Sequence, residues 1–371
     1  MPKFYKLTAV VAFISLVSLG CEVQTLNPEL QEALENIQNG DNDDEQSDND
    51  SDANGDSSDG GESNDGENDN SSSGDGNNDG SGGNDNNATQ NIIEYLDADA
   101  NYSTFRSAID RIGFSNALNN SSGNFTLFLP DNDAFDRYFE TLGANIGLDN
   151  IPATLLSAMV NYHLKSGATA SDNFTNGYIS TLAKELSNNQ DIDLYVQTGN
   201  SILLNGTVTI AEANINVTNG IIHKTSEVLK LPTVADFIDA DPNMSSFKSI
   251  ITEDVRTVLG DLDTDFTIFA PTNNAINNTD LTVFTSTQLV SLLNYHAIIA
   301  SGSDKILISA RLMDGMTITT IETGELTVSR MGDTIHITDE KTNTFSLSTL
   351  DIQAWNGAIH LIEGVLMPNS I

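Results

Sequence analysis

The chain carries the same set of motifs twice. A Tyr-His dipeptide occurs at 162–163 and again at 295–296, and each is followed by an Asn-Gly-x-Ile-His segment, at 219–223 and 356–360. The copies are about 135 residues apart, whereas the units of solenoid proteins run to about 20–50 residues. A period of this length is typical of a duplicated domain. The sequence therefore predicts two tandem domains of ordinary size.

The chain is also strongly acidic. It has 53 Asp and Glu residues against 15 Lys and Arg residues, which gives a formal net charge of -38 at pH 7. Nucleic acids and anionic lipid surfaces repel a chain of this charge. We therefore exclude direct binding to nucleic acid.

The first residues have the pattern of an export signal. Lys3 and Lys6 precede an apolar stretch at 7–19, which is too short to span a bilayer core of about 30 Å. This pattern predicts a secretory signal peptide at 1–20. We therefore expect the protein to be exported.

Cys21 is the only cysteine, and it directly follows this stretch. An unpaired cysteine in an exported protein calls for an explanation. Residues 18–21, Ser-Leu-Gly-Cys, resemble the lipobox of bacterial lipoproteins, although Ser18 stands where that family usually has Leu. The resemblance implies that Cys21 is lipidated and anchors the protein to a membrane of the cell envelope, at the outer membrane or the cell surface. The alternative is an ordinary signal peptide with an incidental cysteine.

The segment after the cysteine has two parts. Residues 21–39 contain Asn27-Pro28 and an apolar stripe at helical spacing, which predicts a short helix. Residues 40–88 consist almost entirely of Asp, Asn, Gly, Ser, Glu and Gln, so we expect a disordered acidic linker. The linker favours diffuse calcium binding over specific calcium sites, because no stretch has the closing Glu of an EF-hand loop. We predict no other cofactor.

Each repeat contains the same strand and helix patterns. An apolar and β-branched run ends in proline at 125–130 and at 266–271, which predicts a buried strand in each repeat. Polar residues follow each run and predict a helix N-cap. Runs with helical spacing lead into both Tyr-His pairs, so we expect each pair at the C-terminus of a helix. The segment 323–350 fits the repeat less well and predicts longer strands or an insertion.

These motifs resemble the fasciclin-like domain of secreted and surface adhesion proteins. Residues 267–276 are similar to the family's Thr-x-Phe-Ala-Pro-Thr-Asn motif, and 126–135 depart from it at two positions. The Tyr-His and Asn-Gly-x-Ile-His segments fit the family in both repeats. The resemblance implies a mixed α/β (α+β) fold with tandem domains at 89–232 and 233–371, each a β-wedge or sandwich flanked by helices. It also implies an adhesive, ligand-binding role without catalysis.

The repeated motifs supply the candidate site residues. Histidine is the commonest general base and metal ligand, so an enzyme would be expected to use these rings. The chain lacks a Gly-x-Ser-x-Gly elbow, a His-Glu-x-x-His motif, a phosphate loop and a cysteine pair. We therefore predict no catalytic and no metal-binding residue. The residues predicted either to contact a partner or to stabilise the fold are Tyr162, His163, His223, Tyr295, His296, Trp355 and His360.

The apolar neighbours of the tyrosines and histidines favour a structural role over partner contact. For Trp355, which precedes the second Asn-Gly pair, a binding aromatic and a lid on the core remain as equal alternatives. The sequence as a whole favours a surface-anchored lipoprotein that binds an extracellular protein or glycan, in adhesion or in a matrix. The alternatives are an enzyme or enzyme subunit acting on an extracellular polymer, and a structural component of a matrix or biofilm. An enzyme would need a concave polar cluster that joins carboxylates to a histidine.

Overall fold

A computed structural model describes residues 88–371, except 121, 144 and 301–305. The predicted signal peptide, the lipidated Cys21, the short helix and almost all of the acidic linker lie outside the described residues and stay predictions. The described chain forms two domains with the same order of elements. In each, short helices precede a first strand, a helix ending in Tyr-His follows it, and later strands return to pair with it.

The first domain contains helices α1 to α5 and strands β1 to β7. The helices are α1 (Ile92–Asp97), α2 (Ser103–Arg111), α3 (Ser115–Asn119), α4 (Asn132–Leu142) and α5 (Ala153–Tyr162). The strands are β1 (Phe125–Pro130), β2 (Leu164–Ser166), β3 (Gly177–Lys184), β4 (Asp191–Gln197), β5 (Leu203–Leu204), β6 (Val208–Val217) and β7 (Gly220–Thr225).

The second domain contains helices α6 to α10 and strands β8 to β14. The helices are α6 (Val234–Ala240), α7 (Ser245–Ile250), α8 (Glu253–Leu259), α9 (Asn273–Asn277) and α10 (Ser286–Tyr295). The strands are β8 (Phe266–Pro271), β9 (Ala297–Ile299), β10 (Thr317–Thr319), β11 (Glu325–Met331), β12 (Thr334–Thr338), β13 (Thr344–Ala354) and β14 (Gly357–Ile362).

Each domain has a sheet of seven strands. The order is β2-β1-β7-β6-β5-β4-β3 in the first domain and β9-β8-β14-β13-β12-β11-β10 in the second. Strand β1 is parallel to β7, and β8 is parallel to β14, whereas the other neighbours are antiparallel. Register shifts in β6 and β13 mark irregularities in the longest strands, where a sheet bends most readily.

The first sheet has an apolar core on each side. Leu127 and Leu129 of β1 belong to a core shared with the helices, whereas Phe128 belongs to a second core formed with β4, β5 and β6. This alternation follows from the two-residue period of a strand. Both faces of β1 are buried, which explains why its sequence is a run of apolar and β-branched residues without charges. In the second domain, Ile268 and Phe269 of β8 divide in the same way between two cores.

The structure confirms the predicted mixed α/β fold with two tandem domains, each a sheet flanked by helices. The two predicted proline-ended strands are β1 and β8, with the predicted bounds. Asp131 caps α4 by accepting a hydrogen bond from the Ala134 N–H, as its position predicts. Both Tyr-His pairs end a helix, α5 in the first domain and α10 in the second.

The structure also defines the turn before β7 and the strands of the segment 323–350. Thr218 and Asn219 form the hairpin turn between β6 and β7. Of the first Asn-Gly-x-Ile-His segment, only Asn219 therefore lies in the turn, and Gly220 already pairs with Val217. The segment 323–350 carries longer strands, since β12 has 5 residues where its counterpart β5 has 2.

Candidate functional site

The histidine of the first Tyr-His pair caps the helix that precedes it. The last carbonyls of α5 have no partner within the helix. The Leu229 N–H donates to Nε2 of His163 at 2.9 Å, so the neutral ring carries its proton on Nδ1. Nδ1 donates in turn to the carbonyl of Met159 at 2.8 Å. The ring therefore caps the last turn of α5 and also binds the backbone of the segment that follows β7.

The second Tyr-His pair has the same arrangement. Nδ1 of His296 donates to the Leu292 carbonyl at 2.8 Å, and Nε2 accepts from the Leu366 N–H at 3.0 Å. His163 is 0% exposed and His296 is 1% exposed. Burial lowers the pKa of both rings to about 4, because the charged form loses its hydration. Both rings are therefore neutral at neutral pH.

The tyrosines of the two pairs are also inaccessible, each with 0% exposure. The Tyr162 hydroxyl donates to the backbone carbonyl of Asp193 and accepts from the Asn205 side chain, both at 2.8 Å. The Tyr295 hydroxyl bonds two backbone groups of the second domain, at 2.9 and 3.0 Å. A partner would have to open the core to reach either ring.

The asparagine of the Asn-Gly-x-Ile-His segment connects the sheet to the helices. The side-chain oxygen of Asn219 accepts from the Ile92 N–H at the start of α1, at 2.9 Å, and its amide donates to the Leu118 carbonyl near the end of α3, at 2.6 Å. Asn356 makes the equivalent bonds to the start of α6 and the end of α8, at 2.8 and 2.9 Å. Each asparagine therefore satisfies helix-end groups that lack a partner within the helix.

The histidine of this segment is buried as well. His223 and His360 are each 0% exposed. In the second domain, Nε2 of His360 donates to the Leu307 carbonyl at 2.7 Å and Nδ1 accepts from the Asp351 N–H at 3.2 Å. His223 makes the equivalent two bonds in the first domain, at 2.9 and 3.3 Å. Burial lowers the pKa of both rings.

Ser309, Asp351 and His360 are the residue types of a catalytic triad, and they lie together. The N–H and hydroxyl of Ser309 both donate to the Asp351 carboxylate, which lies 3.9 Å from Nδ1 of His360. In a triad the serine hydroxyl must donate to the histidine, whose nitrogens here already bond backbone groups. The first domain has Ser171 and the uncharged Asn214 at the same positions: the Ser171 N–H donates to Asn214, and the Ser171 hydroxyl accepts from the Asn214 amide. The cluster is therefore a hydrogen-bonded loop contact common to both domains.

Trp355 lies where the two domains meet. It is half-buried, packs against the first domain's core, and donates its backbone N–H to the Pro232 carbonyl at 2.8 Å. The core that Trp355 contacts is that of the first domain, and its role as a binding aromatic or as a lid on the core stays a prediction. We call this contact the interdomain seam, and define it by Tyr178, Asp193, Tyr195, Phe237, Gln353 and Trp355.

The described residues include few other groups that could form a metal, ligand or membrane-spanning site. In 88–371, without the gaps given above, no set of three or more His, Cys, Asp and Glu side chains could hold a metal ion. An apolar cavity in the second domain lies among α7, α8, α10 and β8, and Asn294 is its only polar lining residue. No helix in this part of the chain is long and apolar enough to cross a membrane.

Two sets of residues in these contacts were not predicted from the sequence. Asn214 and Asp351 each lie 9 residues before the buried histidine of their repeat, so an alignment of the two repeats could have identified them. The Asp193 and Gln353 pair is 160 residues apart and occupies different positions in the two repeats. No sequence pattern identifies that pair.

The fold and its contacts define a class of protein: a tandem pair of mixed α/β domains in which the repeated motifs connect strands to helix ends. The fasciclin domain family matches residues 100–232 and 242–368. The chain therefore belongs to the fasciclin domain family.

Similar proteins include periostin of Homo sapiens, 29% identical over 257 residues, and transforming growth factor-beta-induced protein ig-h3 of Sus scrofa, 24% identical over 259 residues. Each match covers 67% of this chain but only 29% and 35% of the respective relative, so the chain spans about a third of their lengths. A solved FAS1 domain pair from the insect cell adhesion molecule fasciclin I is 20% identical, with a TM-score of 0.47, over 73% of this chain and 98% of that one.

Proposed function

We propose that the protein is a surface-anchored, non-catalytic adhesion protein that binds an extracellular protein or glycan. One observation supports this most: in both domains the motif histidines are buried, and both nitrogens of each ring bond backbone groups. A ring in this state cannot take a proton from a substrate or bind a metal. These histidines and their tyrosines therefore stabilise the fold, and ligand recognition is left to the outer surfaces of the domains.

Family membership supports the same proposal, since fasciclin domains occur in cell-adhesion and extracellular-matrix proteins. The charge of the chain narrows the choice of ligand. At a net charge of -38 the protein repels other polyanions, so electrostatics favours a basic or neutral ligand, or contact bridged by calcium.

The proposed anchor depends on Cys21. We expect Cys21→Ser to move most of the protein from the membrane fraction to the soluble fraction, because the acyl chains would have no attachment site. Ser18→Leu is the matched control, since it brings the segment closer to the lipobox and should keep the protein on the membrane. Fractionation followed by immunoblotting measures both variants. Unchanged membrane retention of the Cys21→Ser variant would rule out this anchor.

The adhesive function can be tested by a binding screen. We expect the Cys21→Ser chain to bind at least one matrix protein or glycan saturably on an array of such ligands. The same array is probed with and without calcium. A second chain that also lacks residues 40–88 separates the domains from the acidic linker. Binding that survives this deletion supports recognition by the domains, and binding that disappears places recognition in the linker. Cleavage of an arrayed polymer would instead favour the enzyme alternative.

A further inference from the structure

The two faces of strand β4 pack against different domains. Its alternating residues Ile192, Leu194 and Val196 belong to the core of the first domain. Tyr195, on the opposite face, belongs to a core of the second domain. Asp193 shares that face because side chains on a strand alternate with a period of two. A carboxylate is therefore placed in the contact between the domains, where it is 9% exposed.

Aromatic rings surround this position in the interdomain seam. Tyr178 on the neighbouring strand β3 lies 5.0 Å from Tyr195 and 5.2 Å from Phe237 of α6, measured between ring centroids. Its hydroxyl donates to the carboxylate of Asp241 at 3.0 Å, which is a second polar contact between the domains. The rings exclude water from the seam, so charges within it are weakly screened.

Asp193 makes the central polar contact of the seam. Its Oδ2 accepts from the backbone N–H of Gln353, in β13 of the second domain, at 2.9 Å, and its Oδ1 accepts from the Ser180 hydroxyl at 3.3 Å. The Gln353 side chain is fixed by bonds to Asn188 of the first domain and to two backbone carbonyls of the second. Gln353 is therefore held in place to meet the carboxylate.

No positive charge balances this carboxylate within the described residues. Lys184, at the end of β3, pairs with Asp191 rather than with Asp193. Glu185 and Asp241 are bonded to other groups, Glu185 within its own turn. Burying an ionised carboxylate without a cation is costly, whereas the protonated form is not. The titratable groups of the neighbouring elements that interact with Asp193 or with its tyrosine partners are all acidic or phenolic: Tyr162, Tyr178, Asp191, Tyr195, Asp236, Asp241 and Asp351.

We propose that the interdomain seam is a pH-sensitive joint, in which the domains dock most tightly when Asp193 is protonated and separate more readily when it is ionised. Both forms keep the hydrogen bond from Gln353, because a protonated carboxyl still accepts at Oδ2 while Oδ1 donates to Ser180. The two forms differ in charge, and only the ionised form has the free-energy cost of a buried charge. An exported protein meets the pH of its surroundings directly, so the relative freedom of its two domains would follow that pH.

The direction of the effect follows from proton linkage. Burial raises the pKa of Asp193 to about 6, whereas an exposed aspartate has a pKa of about 3.9. The docked state therefore binds the proton more tightly than the opened state. Docking is strongest below about pH 4 and weakens as the pH rises through about 6. Between pH 5 and pH 8 these two pKa values predict that the docking constant falls about tenfold.

Native-state hydrogen exchange of the full-length chain tests this joint, because exchange reports opening even when the open form is rare. The amides of Gln353 and Trp355 donate across the seam, to Asp193 and to Pro232. After correction for intrinsic exchange, we expect their protection factors to fall about tenfold from pH 5 to pH 8. The Phe128 amide, which bonds the His163 carbonyl in the core of the first domain, is the internal reference and should change much less.

Two variants distinguish the contribution of Asp193 to this pH dependence from other effects of pH. Asp193→Asn keeps an acceptor for Gln353 and removes the charge, so seam protection should be high and constant across this range. Asp136→Asn is the control: it removes an exposed carboxylate of α4, in the first domain and outside the seam, and should keep the tenfold fall. The proposal is overturned if the seam amides of the wild type show constant protection, if they fall only in parallel with Phe128, or if Asp193→Asn retains the pH dependence.

Discussion

His163→Ala is expected to lower the free energy of unfolding of the first domain by about 3–5 kcal/mol. The change leaves the Met159 carbonyl and the Leu229 N–H buried without partners, and it leaves a cavity where the ring was. Each unsatisfied buried group costs about 1–3 kcal/mol, and whole domains are stable by only about 5–15 kcal/mol. Thermal unfolding followed by circular dichroism should show the first-domain transition lowered by roughly 10–20 °C.

Two other histidines provide controls for this result. His296→Ala should lower the transition of the second domain by a similar amount, because its ring makes the same two bonds. His336→Ala should change stability by less than about 1 kcal/mol, because this half-buried ring has an Nδ1 without a hydrogen-bond partner among the described residues. A His163→Ala protein that unfolds like the wild type but loses ligand binding would instead place His163 in recognition.

The sequence predicted the parts of this fold that depend on local patterns. Strands β1 and β8 could be predicted because both of their faces are buried, which produces a run of apolar and β-branched residues that ends at a proline. The end of α5 could be predicted because helical spacing stops at Tyr162. The duplication made each of these predictions stronger, since an accidental pattern rarely occurs twice at the same spacing.

The partners of the site residues could not be predicted in the same way. The sequence indicated that His163 lies in apolar surroundings, but its bond to Leu229 spans 66 residues and depends on how β7 returns to β1. The interdomain seam could not be predicted because the local sequence pattern there indicates exposure rather than burial. Asp193 interrupts the apolar run of β4 as a solvent-facing residue would, and only the packing of the second domain against that face shows that it is buried.

The glycine of the Asn-Gly-x-Ile-His segment accounts for a part of the motif that the hydrogen bonds do not explain. Gly220 begins β7, and its neighbour in the parallel strand β1 is Phe125. Its φ is +154°, and a Cβ at this position would overlap the Phe125 carbonyl oxygen. Gly357 has a φ of +158° and meets the Phe266 carbonyl in the same way. Because these contacts are with backbone atoms, no side-chain rotation can relieve them.

Gly220→Ala should therefore destabilise the first domain by more than about 4 kcal/mol, an effect that few single substitutions reach. The added methyl group would push apart β7 and β1, which are neighbouring interior strands of the sheet, and would displace the Asn219 bonds to α1 and α3. Urea unfolding followed by tryptophan fluorescence and circular dichroism measures the loss. A large decrease in the yield of folded protein would be the extreme form of the same result.

Gly177→Ala is the matched control, because it separates the clash from the unusual backbone angle. Gly177 also begins a strand, β3, and has a φ of +138°, but a Cβ there has nothing within 4 Å. Its replacement should cost only about 1–2 kcal/mol, the range expected for backbone strain alone. If Gly220→Ala and Gly177→Ala lose equal stability, backbone angle rather than close strand approach explains the motif. If Gly220→Ala loses far more, the glycine is required because β1 and β7 lie too close together there for any side chain.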